Sequence, residues 1–135
     1  VGSIYLIRHG QASFGADDYD VLSPLGMHQA QVLGTHLADL GLVLDRCVAG
    51  SLRRQQATAH LALEAMGLSE LKVETDEGFN EFDAEAVIRA LLPDLLPHEP
   101  EALHILRNAA HNRGEFQRLF ALLIGRWHSG QHATP

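Results

Sequence analysis

The stretch "LIRHGQAS" (residues 6–13) sets a cation and an imidazole, Arg8 and His9, directly after the apolar run Ile4, Tyr5, Leu6 and Ile7. That run is rich in strand formers and too short for a helix, so residues 3–8 are expected to form a strand. In open α/β sheets ligands bind beyond the carboxyl ends of the strands, which is where Arg8, His9 and Gly10 fall. Two further stretches reach the same edge. "GSLRRQQATA" carries Arg53 and Arg54 into the start of a helix, and "ETDEGFNEFD" delivers Glu77, Glu81 and Asp83. A helix N-terminus itself favours anions, and either Arg53 or Arg54 can point into the same crevice. Cation, imidazole, cation and carboxylate together suit phosphoryl transfer. Guanidinium groups bind phosphate oxygens as forks and offset charge in the transition state. A neutral imidazole can attack phosphorus, and a carboxylic acid can protonate the leaving oxygen. The arginines take the electrostatic role, so neither a metal nor another cofactor is expected.

The elements that must position these groups are legible from spacing. "LSPLG" predicts a helix start, with Ser23 as N-cap and Pro24 at the first helical position. Ala30, Leu33, Leu37 and Leu40 follow at three- and four-residue intervals, and Gly41 stops the helix. "RCVAG" (46–50) reads as a second strand, residues 53–66 as a second helix with Ala57, Leu61 and Ala65 on one face, and "LKVET" (71–75) as a third strand. This alternation implies a parallel sheet with right-handed crossovers. The second half is helical in character. Residues 84–92 predict a short helix ended by Pro93, residues 101–110 another, and residues 115–127 an amphipathic one with Phe116, Leu119, Phe120, Leu123 and Trp127 in register. "SGQHATP" reads as solvated loop. Three parallel strands followed by helices leave two readings open: a small α/β domain with a helical cap, or a natural chain that continues into further strands.

Composition sets the outer bounds. With 135 residues, 46% hydrophobic and 20% charged, the chain is expected to be one soluble globular domain. Seventeen acidic residues against ten basic ones give a net charge of −7, which argues against nucleic acid and anionic membranes as partners. No apolar run approaches the roughly 20 residues needed to span a bilayer, and the first residues, lacking a basic region and a long apolar core, are not expected to act as a signal peptide. A single cysteine, Cys47, excludes an intrachain disulfide, and a cytoplasmic location is the simple expectation. Nine histidines could suggest metal, but His98, His104, His111, His128 and His132 fall in no ligand pattern with Cys or Glu. "HSGQH" (128–132) has a four-residue spacing, yet its glycine and terminal position read as a solvated tail.

Taken together, four ordered motifs resemble the histidine phosphatase, or phosphoglycerate mutase-like, superfamily. "LIRHGQA" is similar to its opening strand and RHG signature, and "LSPLGMHQAQVLGTHL" to its first helix. "SLRRQQATA" resembles its Ser-Pro-Leu-x-Arg-Ala-x-x-Thr-Ala segment, and "FNEFD" the segment with the acidic residue. The resemblance covers residues 3–83. It implies a doubly wound, mainly parallel α/β sheet with flanking helices, a three-layer α/β/α fold that residues 1–135 would leave incomplete at the C-terminus. It implies His9 as the phosphorylated nucleophile, Arg8 and Arg54 as phosphate ligands, and Glu81 as proton donor and later base. Gly50-Ser51 replaces the usual Ser-Pro, Gln11 stands where many members have Glu, and Gly15 where mutases often carry Asn. The family's second histidine, in a His-Gly pair after a later strand, has no counterpart motif here. The chain is therefore expected to be the N-terminal part of a single such domain, with a helical insertion at about 84–128. The implied activity is metal-independent phosphomonoester hydrolysis through a phosphohistidine. The alternatives are mutase-type phosphoryl transfer and a non-catalytic phosphoester-binding or regulatory module. The expected partner is a small phosphorylated molecule or a phosphoprotein; composition fixes neither the substrate nor the oligomeric state.

Overall fold

Ser23 caps a helix as its sequence context predicts. In the computed structural model, which describes residues 2–130, helix α1 runs Pro24–Asp39. The Ser23 hydroxyl accepts the Gly26 N–H at 3.0 Å, and Pro24 sits in the first turn, where a missing N–H costs nothing. Strand β1 (Cys47–Ala49), helix α2 (Arg53–Ala65) and strand β2 (Val73–Thr75) follow. β1 and β2 pair in parallel, Cys47 opposite Val73 and Ala49 opposite Thr75, so β1–α2–β2 is a crossover unit. Ala30 and Leu37 of α1 are buried, as are Ala62 and Leu63 of α2, and the two helices pack together. Arg54 and Thr58, also on α2, are the buried polar residues among those described.

The chain divides into two compact units, Val1–Asn80 and Glu81–Pro135. The second is helical. Asp83 caps α3 (Ala84–Leu95) by accepting the Ala86 N–H, and α4 (Ala102–Arg107) and α5 (Arg113–His128) complete it. Val87, Leu91, Leu95, Ala102, Ile105, Leu119 and Leu123 form its core. Burying each of those leucines contributes about 1.5–3 kcal/mol relative to exposure.

Two expectations are corrected. Residues 3–8 form no strand: Ile4 and Leu6 are 89% and 88% exposed, and the segment takes part in no ladder among the described residues. Apolar, strand-favouring composition stabilises a strand only through neighbours on a sheet, and none flanks this run there. Pro93 lies inside α3 rather than ending it. A proline that late in a helix forfeits one backbone bond, while buried Leu91 and Leu95 hold the last turn and Leu96 still donates to the Leu92 carbonyl at 3.0 Å. A short 3₁₀ turn at Glu77–Phe79 was not foreshadowed by the sequence pattern. The fold is thus mixed α/β, with five α-helices and a two-strand parallel sheet among the described residues; a full doubly wound sheet is not present among them.

Candidate active site

The Arg-His-Gly turn is fixed by what its glycine meets. Gly10 is buried, and a Cβ there would fall 2.3 Å from the Gly26 carbonyl oxygen. A Cβ on Gly26 would fall 2.1 Å from the Gln11 carbonyl oxygen. Backbone therefore lies directly on backbone where this turn crosses the first turn of α1, and only glycine fits on either side. The loop is tied there by three bonds. The Gln11 N–H donates to Gln29 Oε1 at 2.9 Å, the Ser23 N–H to the Gln11 carbonyl at 2.9 Å, and the Ser23 hydroxyl to Gln11 Oε1 at 3.1 Å.

A buried hydroxyl joins the same turn to α2. The Gly10 N–H donates to Thr58 Oγ1 at 3.0 Å, and that hydroxyl donates to the Arg54 carbonyl at 2.7 Å, one turn back along α2. Next to it, His9 Nδ1 lies 2.6 Å from the Gly10 carbonyl oxygen. A carbonyl only accepts, so in this contact Nδ1 is the donor. Arg8 is exposed and His9 half-buried, and both line a cavity of about 380 Å³ together with Gln11, Phe14 and Tyr19.

Arg54 and Arg53 part company at the start of α2. The Arg53 guanidinium meets Asp18 at 2.7 Å with 65% of its side chain in solvent. Arg54 is buried, its Nη1 2.9 Å from Asp20 Oδ1 and its guanidinium carbon 5.1 Å from the centroid of the Tyr19 ring. Asp20 also accepts the backbone N–H groups of Arg53 at 2.9 Å and Arg54 at 3.2 Å. Burial works against the ionised Asp20 carboxylate. Those two N–H groups and the Arg54 guanidinium outweigh it and hold the carboxyl below its ordinary pKa. Tyr19, which lines the cavity, is thus the contact between the cavity wall and Arg54.

Of the residues singled out from sequence, Arg8 and His9 come together in one cavity, and Arg54 adjoins it through Tyr19 and Thr58. Glu81 is the first residue of the second unit, exposed in the irregular segment before α3. It follows Asn80, whose side-chain oxygen accepts the Ser51 N–H at 2.7 Å and whose amide donates to the Ser51 hydroxyl at 2.9 Å. His104 lies on α4, His111 in the turn after it and His128 at the end of α5, whereas His132 lies outside the described residues. Among the described residues no group of three His, Cys, Asp or Glu side chains could hold a metal ion, and no helix is long and apolar enough to cross a membrane. Sequence reasoning missed Tyr19, Asp20 and the part played by Thr58. The four-residue step from Arg54 to Thr58, one turn of helix, could have revealed the last; nothing in "ADDYD" marked Asp20 apart from its acidic neighbours.

Residues 4–115 match the family model of the histidine phosphatase superfamily, branch 1. The chain belongs to that superfamily. A 2,3-bisphosphoglycerate-dependent phosphoglycerate mutase of Rhizobium meliloti is 37% identical over 89 residues, covering 61% of this chain and 42% of the mutase. A mutase of the same name from Methylobacterium sp. is 36% identical, over 59% of this chain and 41% of its own length. The mitochondrial serine/threonine-protein phosphatase Pgam5 of Drosophila willistoni is 32% identical over 87% of this chain and 40% of its own length. The chain therefore spans about two-fifths of the length of these relatives. Within the superfamily match lie Arg8, His9, Arg54 and Glu81, the four residues expected to carry the chemistry.

Proposed function

We propose that the protein hydrolyses phosphomonoesters without a metal, through a phosphohistidine on His9. His9 Nε2 attacks phosphorus with its lone pair as the bond to the leaving oxygen breaks, and Glu81 gives that oxygen its proton. Glu81, now a carboxylate, takes a proton from water. The water oxygen attacks phosphorus, the P–N bond breaks, and inorganic phosphate leaves a neutral His9. Arg8 and Arg54 bind the phosphoryl oxygens and offset their charge throughout. The observation that carries this reading is the Nδ1 contact to the Gly10 carbonyl, which engages Nδ1 as donor and so supports Nε2 as the attacking atom. Part of the reading is that β1 and β2 belong to a doubly wound sheet. The substrate is a small phosphorylated molecule or a phosphoprotein.

Relatives named as mutases favour a second reading, in which the phosphoryl group passes from His9 to an acceptor hydroxyl rather than to water. An aryl phosphate assay tests the leading one. The protein should release inorganic phosphate at an undiminished rate in chelator, and His9→Ala should lower turnover on the order of 10³-fold or more. Turnover retained by His9→Ala, or lost in chelator and restored by Mg²⁺ or Zn²⁺, contradicts the mechanism. Phosphoryl transfer to an added alcohol in preference to water selects the mutase-type reading.

A further inference from the structure

We propose that Asp20 is a positioning residue for the phosphate site, holding Arg54 in place with Tyr19 as its backing. This inference rests on the reading above that Arg54 binds phosphate. Arg54 keeps only 10% of its side chain in solvent. A long, charged side chain buried to that extent needs a compensating charge and a fixed rotamer. Asp20 supplies both. Its Oδ1 meets Arg54 Nη1 at 2.9 Å and the Arg54 N–H at 3.2 Å, while Oδ2 takes the Arg53 N–H at 2.9 Å. One carboxylate therefore grips the guanidinium and the backbone that carries it, which sets the side chain relative to the helix start. Tyr19 completes the clamp, its ring 5.1 Å from the guanidinium carbon and part of the cavity wall that holds Arg8 and His9. Phe14 braces that ring edge-on at a centroid distance of 6.4 Å.

The clamp explains the acidic "ADDYD" stretch in a protein that must attract an anion. Asp20 engages the Arg54 guanidinium through Nη1, and a guanidinium has five N–H donors in a planar fork. Holding that nitrogen, with the Tyr19 ring against the guanidinium face, limits the orientations in which the other donors are offered. Asp18 instead meets the exposed Arg53.

The test is a double-mutant cycle on phosphate binding, read by competitive inhibition with inorganic phosphate and with vanadate. Asp20→Ala should weaken both inhibitors about tenfold in the parent background and should add no further loss in an Arg54→Ala background. Asp20→Asn keeps an acceptor for the helix start but not the charge, so it should stay as folded by circular dichroism as the parent while still losing several-fold in phosphate affinity. For an aryl phosphate kcat/KM should fall, with kcat lowered as well as KM raised, since Arg54 also offsets charge in the transition state. Undiminished affinity in Asp20→Asn and Asp20→Ala, with Arg54→Ala impaired, overturns the proposal, as do equal losses from Asp20→Ala in both backgrounds. An Arg54→Ala protein that binds phosphate unchanged instead overturns the reading of the site, and the clamp with it.

Discussion

Arg53 keeps 65% of its side chain in solvent beside Asp18, whereas Arg54 keeps 10% beside Asp20. Two adjacent residues of one type therefore differ in what their removal should do. An exposed ion pair is worth little, because water and salt screen it and two long side chains must be ordered to form it. Arg53→Ala should leave phosphate affinity within about twofold of the parent on that ground. If Arg54 binds phosphate as proposed, Arg54→Ala removes a charge-assisted bond and should cost about 1.5–3 kcal/mol, or roughly ten- to a hundredfold in the inhibition constant. Phosphate and vanadate inhibition of the two variants decides between them, with Arg54→Lys as a variant that keeps the charge but not the fork. Equal losses in Arg53→Ala and Arg54→Ala would show that the helix register assigned to the site is wrong.

At the scale of elements, the crossing of the Arg-His-Gly turn over α1 is what sets the position of His9. Gly26→Ala would push a methyl to 2.1 Å from the Gln11 carbonyl, and the obstruction is backbone, which cannot swing aside. Overpacking of this kind costs about 1–3 kcal/mol, so the variant should melt several degrees lower and lose activity in step. A Gly26→Ala protein with parent-like melting and turnover would mean that the turn is not held as described. The start and stop of α1 were legible because Ser23, Pro24 and Gly41 act locally, through a cap, a fixed φ and a left-handed turn. α2 and α5 were legible from apolar periodicity, and α3 and α4 in outline, with ends displaced by a few residues. Residues 3–8 misled for a physical reason: their strand character depends on partners across a sheet, and no local signal reports whether those partners are present. The Tyr19–Asp20–Arg54 contact was hidden likewise, since its members lie 34 positions apart for the ion pair and meet only through the fold.

For the molecule as a whole, the charge balance of −7 and the proposed handling of phosphate meet in one arrangement. A general positive field is absent, so anion affinity must come from a few groups held at short range: Arg8 at the cavity, Arg54 behind Tyr19 and the tied turn that presents His9. Superfamily membership over residues 4–115 and the Nδ1 contact of His9 to the Gly10 carbonyl are what the proposal of a phosphohistidine rests on. The measurement that tests this most directly is to trap the phosphoenzyme. The protein is quenched at alkaline pH during turnover of an aryl phosphate, and the modified peptide is located by mass spectrometry and its isomer assigned by phosphorus NMR. The account predicts one acid-labile, base-stable phosphoryl group, on Nε2 of His9, absent from His9→Ala. A phosphoryl group on another residue or on Nδ1 of His9, or rapid turnover with no trapped intermediate, would contradict it.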